Sequence, residues 1–190
     1  MDPQHTTSSS PTRRMTAATW LKVVAVSIMA AVLYLSYQQH DLFPSRVERL
    51  PPFDLTTLDG DSFTDQDLEG PVTVLNFFAT WCGPCNAEMP MLQRFADHHA
   101  EEGLRVVALS AGGDDRLRLR KFAARHRLTI PIVLEGEHLL EAVGVSMLPT
   151  TVVVDSTGRV AHVFVGLVTQ KRLEAVVTPL LAPNTPTRSG

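Results

Sequence analysis

Residues 72–79, VTVLNFFA, run without a break into Thr80-Trp81-Cys82-Gly83-Pro84-Cys85 and then into NAEMPMLQRFADHH. A β-branched and aromatic stretch with so little polar alternation reads as a strand covered on both faces. The chain must then enter a helix within a few residues. Pro84 suits a first helical turn, where its missing N–H is not needed. The helix is expected over about 84–99, with Pro90 kinking it and Gly103 stopping it. A doubly covered strand needs layers above and below it, and the rest of the chain must supply them.

The flanking pattern does so. PFDLTTLDGDSFTDQDL offers short strands about an Asp59-Gly60 turn, and LRVVALS at 104–110 is a second buried strand. GGDD opens a helix through LRLRKFAARHR. A short strand at 129–134, a helical turn or two at 138–143 and a strand at 150–155 follow. Ser156-Thr157-Gly158 turns the chain into a last strand at 159–166, and 169–181 closes as a helix. Strands alternating with helices and ending in a hairpin describe an α/β sandwich on a mixed sheet.

The N-terminal 1–18 is polar and rich in Ser, Thr and Pro, and is expected to be disordered. Residues 19–39 carry no formal charge after Lys22 and are about long enough for a ~30 Å hydrocarbon core. Trp20 sits near one end, Tyr34 and Tyr37 near the other, as interfacial aromatics do. Arg13, Arg14 and Lys22 precede Asp41, so the positive-inside rule leaves the N-terminus cytoplasmic and sends the rest across. No small-x-small site precedes a polar start, which favours an uncleaved anchor over a signal peptide. Residues 40–50 read as a linker, 51–181 as the folded domain and 182–190 as a loose tail. The net charge of −3 supplies no cationic surface for nucleic acid.

The chain has two cysteines, both in the CxxC window, so a disulfide framework is ruled out. A redox pair, half a metal site or an inert pair remain. A structural zinc site needs four ligands; there is no second CxxC, and His98-His99 are adjacent and point to different sides of a helix. No metal is expected. Cys82 falls between strand and helix, where unpaired N–H groups and the positive end of the helix dipole favour a thiolate. Cys85, one turn on and more buried, would be the resolving thiol.

WCGPC after a hydrophobic strand resembles thioredoxin. Pro90 falls where that family carries a helix proline. Met147-Leu148-Pro149-Thr150 resembles its cis-proline loop, and Phe164-Val165-Gly166-Leu167 resembles the glycine-containing strand end that completes the substrate surface. The N-terminal anchor, the PxFxLxxLDG opening and the DDRLRLRKFAARHRLTIPIVL insertion bring the likeness nearest the membrane-anchored TlpA/ResA-type thiol–disulfide oxidoreductases, which include cytochrome c maturation proteins. The resemblance implies a thioredoxin-like three-layer sandwich with a mixed central sheet over about 51–181, preceded by a transmembrane helix and needing no cofactor. It implies a redox disulfide between Cys82 and Cys85, shaped by Trp81, Gly83, Pro84, Leu148, Pro149 and Gly166, with the Leu148 backbone free to pair with a substrate peptide. Asn76 stands where thioredoxin keeps a buried aspartate, and Asn cannot take a proton. Glu88 matches the acidic residue of ResA-type members, which implies that it takes or relays the Cys85 proton. The implied partners are a disulfide-containing client protein and an integral-membrane electron donor, at a bacterial inner membrane with the catalytic domain in the periplasm. Gly83-Pro84 is the thioredoxin dipeptide, so a reductant below about −200 mV is expected.

Two other classes share the fold. A thiol peroxidase would carry PxxxTxxC, but Leu75 stands at the proline position. A Sco-like copper chaperone would carry CxxxC with a distant histidine, but this chain has CxxC. Arg116, Arg118, Arg120, Lys121, Arg125 and Arg127 make the insertion helix basic, as a solvated face or a client-docking surface. His138 and His162 read as surface or satisfied core residues, and Trp81 as a cover over the cysteine pair.

Overall fold

The expected central strand lies in the middle of a five-stranded sheet, and every residue of it is buried. A computed structural model describes residues 17–38 and 47–181. The expected tail at 182–190, and most of the segments expected at 1–18 and 40–50, lie outside the described residues. Helix α1 (Ala17–Gln38) belongs to a unit of its own, and its described side chains, at 20 and 22–31, are exposed. Among the described residues no helix is long and apolar enough to cross a membrane.

The second unit begins with a small antiparallel hairpin, β1 (Asp54–Thr56) and β2 (Ser62–Thr64). The chain is already engaged before Pro51. The Glu48 carbonyl accepts from Val160 N–H at 2.9 Å, the Glu48 carboxylate pairs with Arg159, and Leu50 is buried in one cluster with Phe63 and Leu68. An apolar residue at the end of an expected linker has therefore joined the core.

The main sheet is built from β3 (Val72–Phe78), β4 (Leu104–Ser110), β5 (Ile132–Val133), β6 (Thr150–Val154) and β7 (Val160–Val165), in the order β5-β4-β3-β6-β7. β3, β4 and β5 run parallel, whereas β6 and β7 are added antiparallel. Helices α2 (Gly83–His99), α3 (Arg116–His126) and α5 (Gln170–Leu181) pack Met89, Leu92, Phe95, Phe122 and Leu173 in one cluster with Val72, Val74 and Phe78 of β3. Leu75 and Phe77, pointing the other way along the same strand, join the cluster of α4 (Glu137–Ala142) and the hairpin. That alternation puts Asn76 on the α2 side, among apolar neighbours, where it must find partners.

Candidate active site

The backbone leaves the sheet after Phe78 and starts α2 at Gly83, with Pro84 in its first turn and Cys82 as the N-cap at φ −77°, ψ 110°. The Cys82 Sγ accepts the Cys85 N–H at 3.2 Å, which satisfies one of the orphan donors of the helix start. The two cysteines are joined as a disulfide with Cα atoms 5.3 Å apart. They are unequal: Cys82 keeps 6 % exposure and Cys85 none. On reduction, the Cys85 N–H that now meets Cys82 Sγ, with the positive end of the helix dipole, favours its thiolate.

Cys82 opens onto a cleft of about 500 Å³ that is also lined by Trp81, Gly83, Pro84, Met147 and Leu148. Trp81 is 66 % exposed and borders this cleft, its Nε1–H donating to the Gly112 carbonyl at 3.1 Å. The Leu148–Pro149 bond is cis, and Gly166, at φ +82°, donates its N–H to the Pro149 carbonyl at 2.8 Å. Met147, Val165 and Leu167 are exposed. Five of the expected residues, Trp81, Cys82, Gly83, Pro84 and Leu148, thus share one cleft. Pro149 is buried, and Gly166 is tied to its carbonyl.

Cys85 and Glu88 lie behind it. Glu88 is only 2 % exposed, three residues after Cys85, a spacing that puts two side chains on one helix face. Its Oε1 accepts Val168 N–H at 2.8 Å and its Oε2 accepts the Asn76 amide at 3.0 Å. Burial pushes the Glu88 pKa up from its ordinary value, and these two donors pull it only partly back. The same Asn76 nitrogen donates to Thr151 Oγ1 at 3.0 Å, across a pairing fixed by the β3–β6 register. Asn76 therefore acts as a donor to the carboxylate.

The Redoxin family model matches residues 46–177. A thiol-disulfide oxidoreductase ResA of Geobacillus thermodenitrificans is 32% identical over 156 residues, covering 80% of this chain and 89% of the relative. The chain belongs to the redoxin family, as a ResA-type thiol–disulfide oxidoreductase. The thioredoxin-like protein YneN of Bacillus subtilis is 31% identical over 156 residues, 81% of this chain and 91% of that one. Among solved structures, a thiol:disulfide interchange protein of the thioredoxin family from Chlorobium tepidum matches with a TM-score of 0.63 at 27% identity, over 72% of this chain and 97% of that one. A secreted thiol-disulfide isomerase from Corynebacterium glutamicum matches with a TM-score of 0.63 at 28% identity, over 70% of this chain and 84% of that one.

Several residues of this ResA-type site carry no signal in the sequence reading. Thr80 donates its N–H at 2.7 Å and its hydroxyl to the buried carboxylate of Asp114, in the GGDD run that opens the helix. Asp115, not Asp114, caps α3. Gly112 lies so close to Ala79 that a Cβ there would overlap it, and would press tightly on Trp81. Thr151 and the Val168 N–H come from segments far along the chain. Among the described residues no group of three or more His, Cys, Asp or Glu side chains is placed to hold a metal.

Proposed function

We propose that this ResA-type oxidoreductase is held at the membrane through the apolar run within residues 19–39, uncharged after Lys22, and works outside the cytoplasm. There it reduces disulfides in client proteins, with cytochrome c or metalloenzyme maturation as the setting. The observation that carries the reductive direction is Cys82 at the floor of the cleft, backed by a buried carboxylate on the Cys85 face of α2. A reductase's second step requires the inner cysteine to lose its proton within the fold, and the helix-face spacing of Cys85 and Glu88 supports Glu88 as the acceptor.

In the reduced enzyme the Cys82 thiolate attacks one sulfur of a client disulfide. A Cys82–client disulfide forms, and one client thiolate leaves. Cys85 passes its proton toward Glu88 and attacks Cys82 Sγ. The mixed disulfide breaks, the second client thiolate leaves, and the Cys82–Cys85 disulfide forms. Two electrons have passed to the client. To return to the Cys82 thiolate and Cys85 thiol, the oxidised enzyme then needs two electrons, which an integral-membrane donor would supply through the same exchange, and one proton, which Glu88 can hand back to Cys85. The thioredoxin dipeptide Gly83-Pro84 supports a low potential, the secreted relative from Corynebacterium supports an extracytoplasmic site, and tethering would raise the effective concentration of a membrane-bound donor.

The wild type should reduce insulin disulfides and equilibrate with glutathione below about −200 mV, whereas a value near about −120 mV would make it an oxidant. Cys85→Ser should stall the reaction as a mixed disulfide on Cys82, and identification of the trapped protein names the client. Carbonate-resistant membrane association, with a fused phosphatase active outside the cytoplasm, is the result expected of the tether. A soluble or cytoplasmic product would overturn it.

A further inference from the structure

Helix α3 touches the active-site loop at both ends. Just before its N-cap, Asp114 takes the N–H and hydroxyl of Thr80. At its last residue, His126 Nε2 lies 3.1 Å from Asn86 Oδ1. Asn86 spends its amide nitrogen on two backbone carbonyls, Thr80 at 3.1 Å and Cys82 at 2.7 Å. Its backbone N–H also reaches the Cys82 carbonyl, as the first helical bond of α2. With both amide hydrogens committed, Asn86 presents only its oxygen to His126, so the imidazole must be the donor. It can donate whether neutral or charged. The ring is held by Phe122 at 4.5 Å, which stacks at 5.0 Å on Phe78 at the end of β3.

We infer that α3 is a positioning clamp for the redox pair, His126 acting through Asn86 to fix the backbone of Thr80 and Cys82. The reason is geometric. Cys82 stabilises a thiolate only while its N-cap conformation keeps helix-terminal N–H groups on the sulfur, as Cys85 N–H is now. The Asn86 side chain pins the carbonyls at 80 and 82, and His126 keeps that side chain from rotating away. Neither residue touches the sulfurs with its side chain, so both are positioning residues. The inference rests on the exchange reading given above.

The test uses His126→Phe, which keeps a ring against Phe122 but removes the donor, and His126→Gln, which keeps an N–H donor. In the full-length reduced protein, iodoacetamide alkylation of Cys82 is followed against pH, and the equilibrium with glutathione is measured. His126→Phe should lower the thiolate fraction about tenfold below the Cys82 pKa. Intrinsic nucleophilicity rises as pKa rises, so the observed alkylation rate falls only about threefold. At pH above the raised Cys82 pKa, the less stabilised thiolate shifts the glutathione equilibrium about tenfold toward the disulfide, about 30 mV more negative. His126→Gln should stay near the wild type. The clamp is overturned if His126→Phe leaves both readouts unchanged, or if the two variants shift equally. Should His126→Phe fail to fold, Asn86→Ala is read instead, with the same shift expected and an unchanged profile overturning the idea. A wild-type Cys82 that alkylates like an ordinary thiol would sink the exchange reading itself, which is a different failure.

Discussion

Replacing Glu88 with Gln should change both the pH dependence of stability and the resolving step. The carboxyl is 2 % exposed and its pKa stands above the ordinary 4.5, burial outweighing the Val168 N–H and the Asn76 amide. When the folded pKa exceeds the unfolded one, the folded chain keeps between the two a proton that the unfolded chain has lost. The stability tied to that proton is complete below the unfolded value of 4.5 and falls as pH rises toward the folded pKa. The slope is at most about 1.4 kcal/mol per pH unit. Gln cannot titrate, so this decline should vanish. Nor can Gln accept on both terminal atoms: with its oxygen on Val168 N–H, its NH₂ meets the Asn76 amide, which must turn its otherwise unpartnered oxygen inward and give up its present bonds, at about 1 kcal/mol. The variant should therefore be the less stable protein at acid pH and recover much of the gap as pH rises. Urea unfolding of the two oxidised proteins over a pH series, read as a difference so that other groups cancel, checks this. Parallel stability curves would refute the assignment. In rapid-mixing kinetics, release of the second client thiol should slow by about 10²-fold at neutral pH and lose its inflection, while the first attack by Cys82 is unchanged. An unaltered second step would show that Glu88 is structural only.

Two substitutions test the scaffold around that chemistry. Gly112→Ala would drive a Cβ into Ala79 and toward Trp81 Nε1, so it should cost about 1–3 kcal/mol in urea unfolding and alter Trp81 fluorescence; no change in either would show that the loop yields freely. Thr151→Val removes the hydroxyl that accepts from Asn76 but leaves both donors on Glu88. It should cost about 1–3 kcal/mol of stability while the pH profile of the resolving step stays put, and a moved profile would mean that Asn76 cannot hold Glu88 alone.

What the sequence discloses here is set by how local each cause is. Strand β3, helix α2 and the Cys82–Cys85 pair are legible because a buried run, an N-terminal proline and a two-residue spacer act within one contiguous stretch. The strand expected over 129–134 shrinks to Ile132–Val133, which pairs with Ala108 and Leu109 on one side and is bridged to Thr57 on the other, while Pro131 just before it has no N–H to extend the ladder. Arg116 reads as one more solvated cation, yet its guanidinium donates to the Leu58 carbonyl. The partners of Glu88 were hidden for two reasons. Thr151 lies 75 residues from Asn76 and meets it only through the β3–β6 register, and Val168 contributes a backbone group that any residue but proline carries. Asn86 and His126, 40 residues apart, look in sequence like ordinary helix polar residues.

The distribution of polar groups about the two sulfurs gives the site its direction. Cys82 faces the cleft and the helix-terminal N–H groups, so charge can be held there without a proton acceptor. Cys85 is fully buried, and a thiolate at that depth is costly unless its proton has a nearby destination. A carboxylate with no donors, buried as Glu88 is, would stay protonated and could accept nothing. One with several donors in an open site would be too weak a base. At Glu88 two donors oppose the burial, and the pKa stands above its ordinary value. Asn76 is what permits the balance. An aspartate at that position would add a second buried negative charge, whereas the amide donates to Glu88 and takes no proton from it. Replacing Asn76 with aspartate should therefore drive the Glu88 pKa higher still.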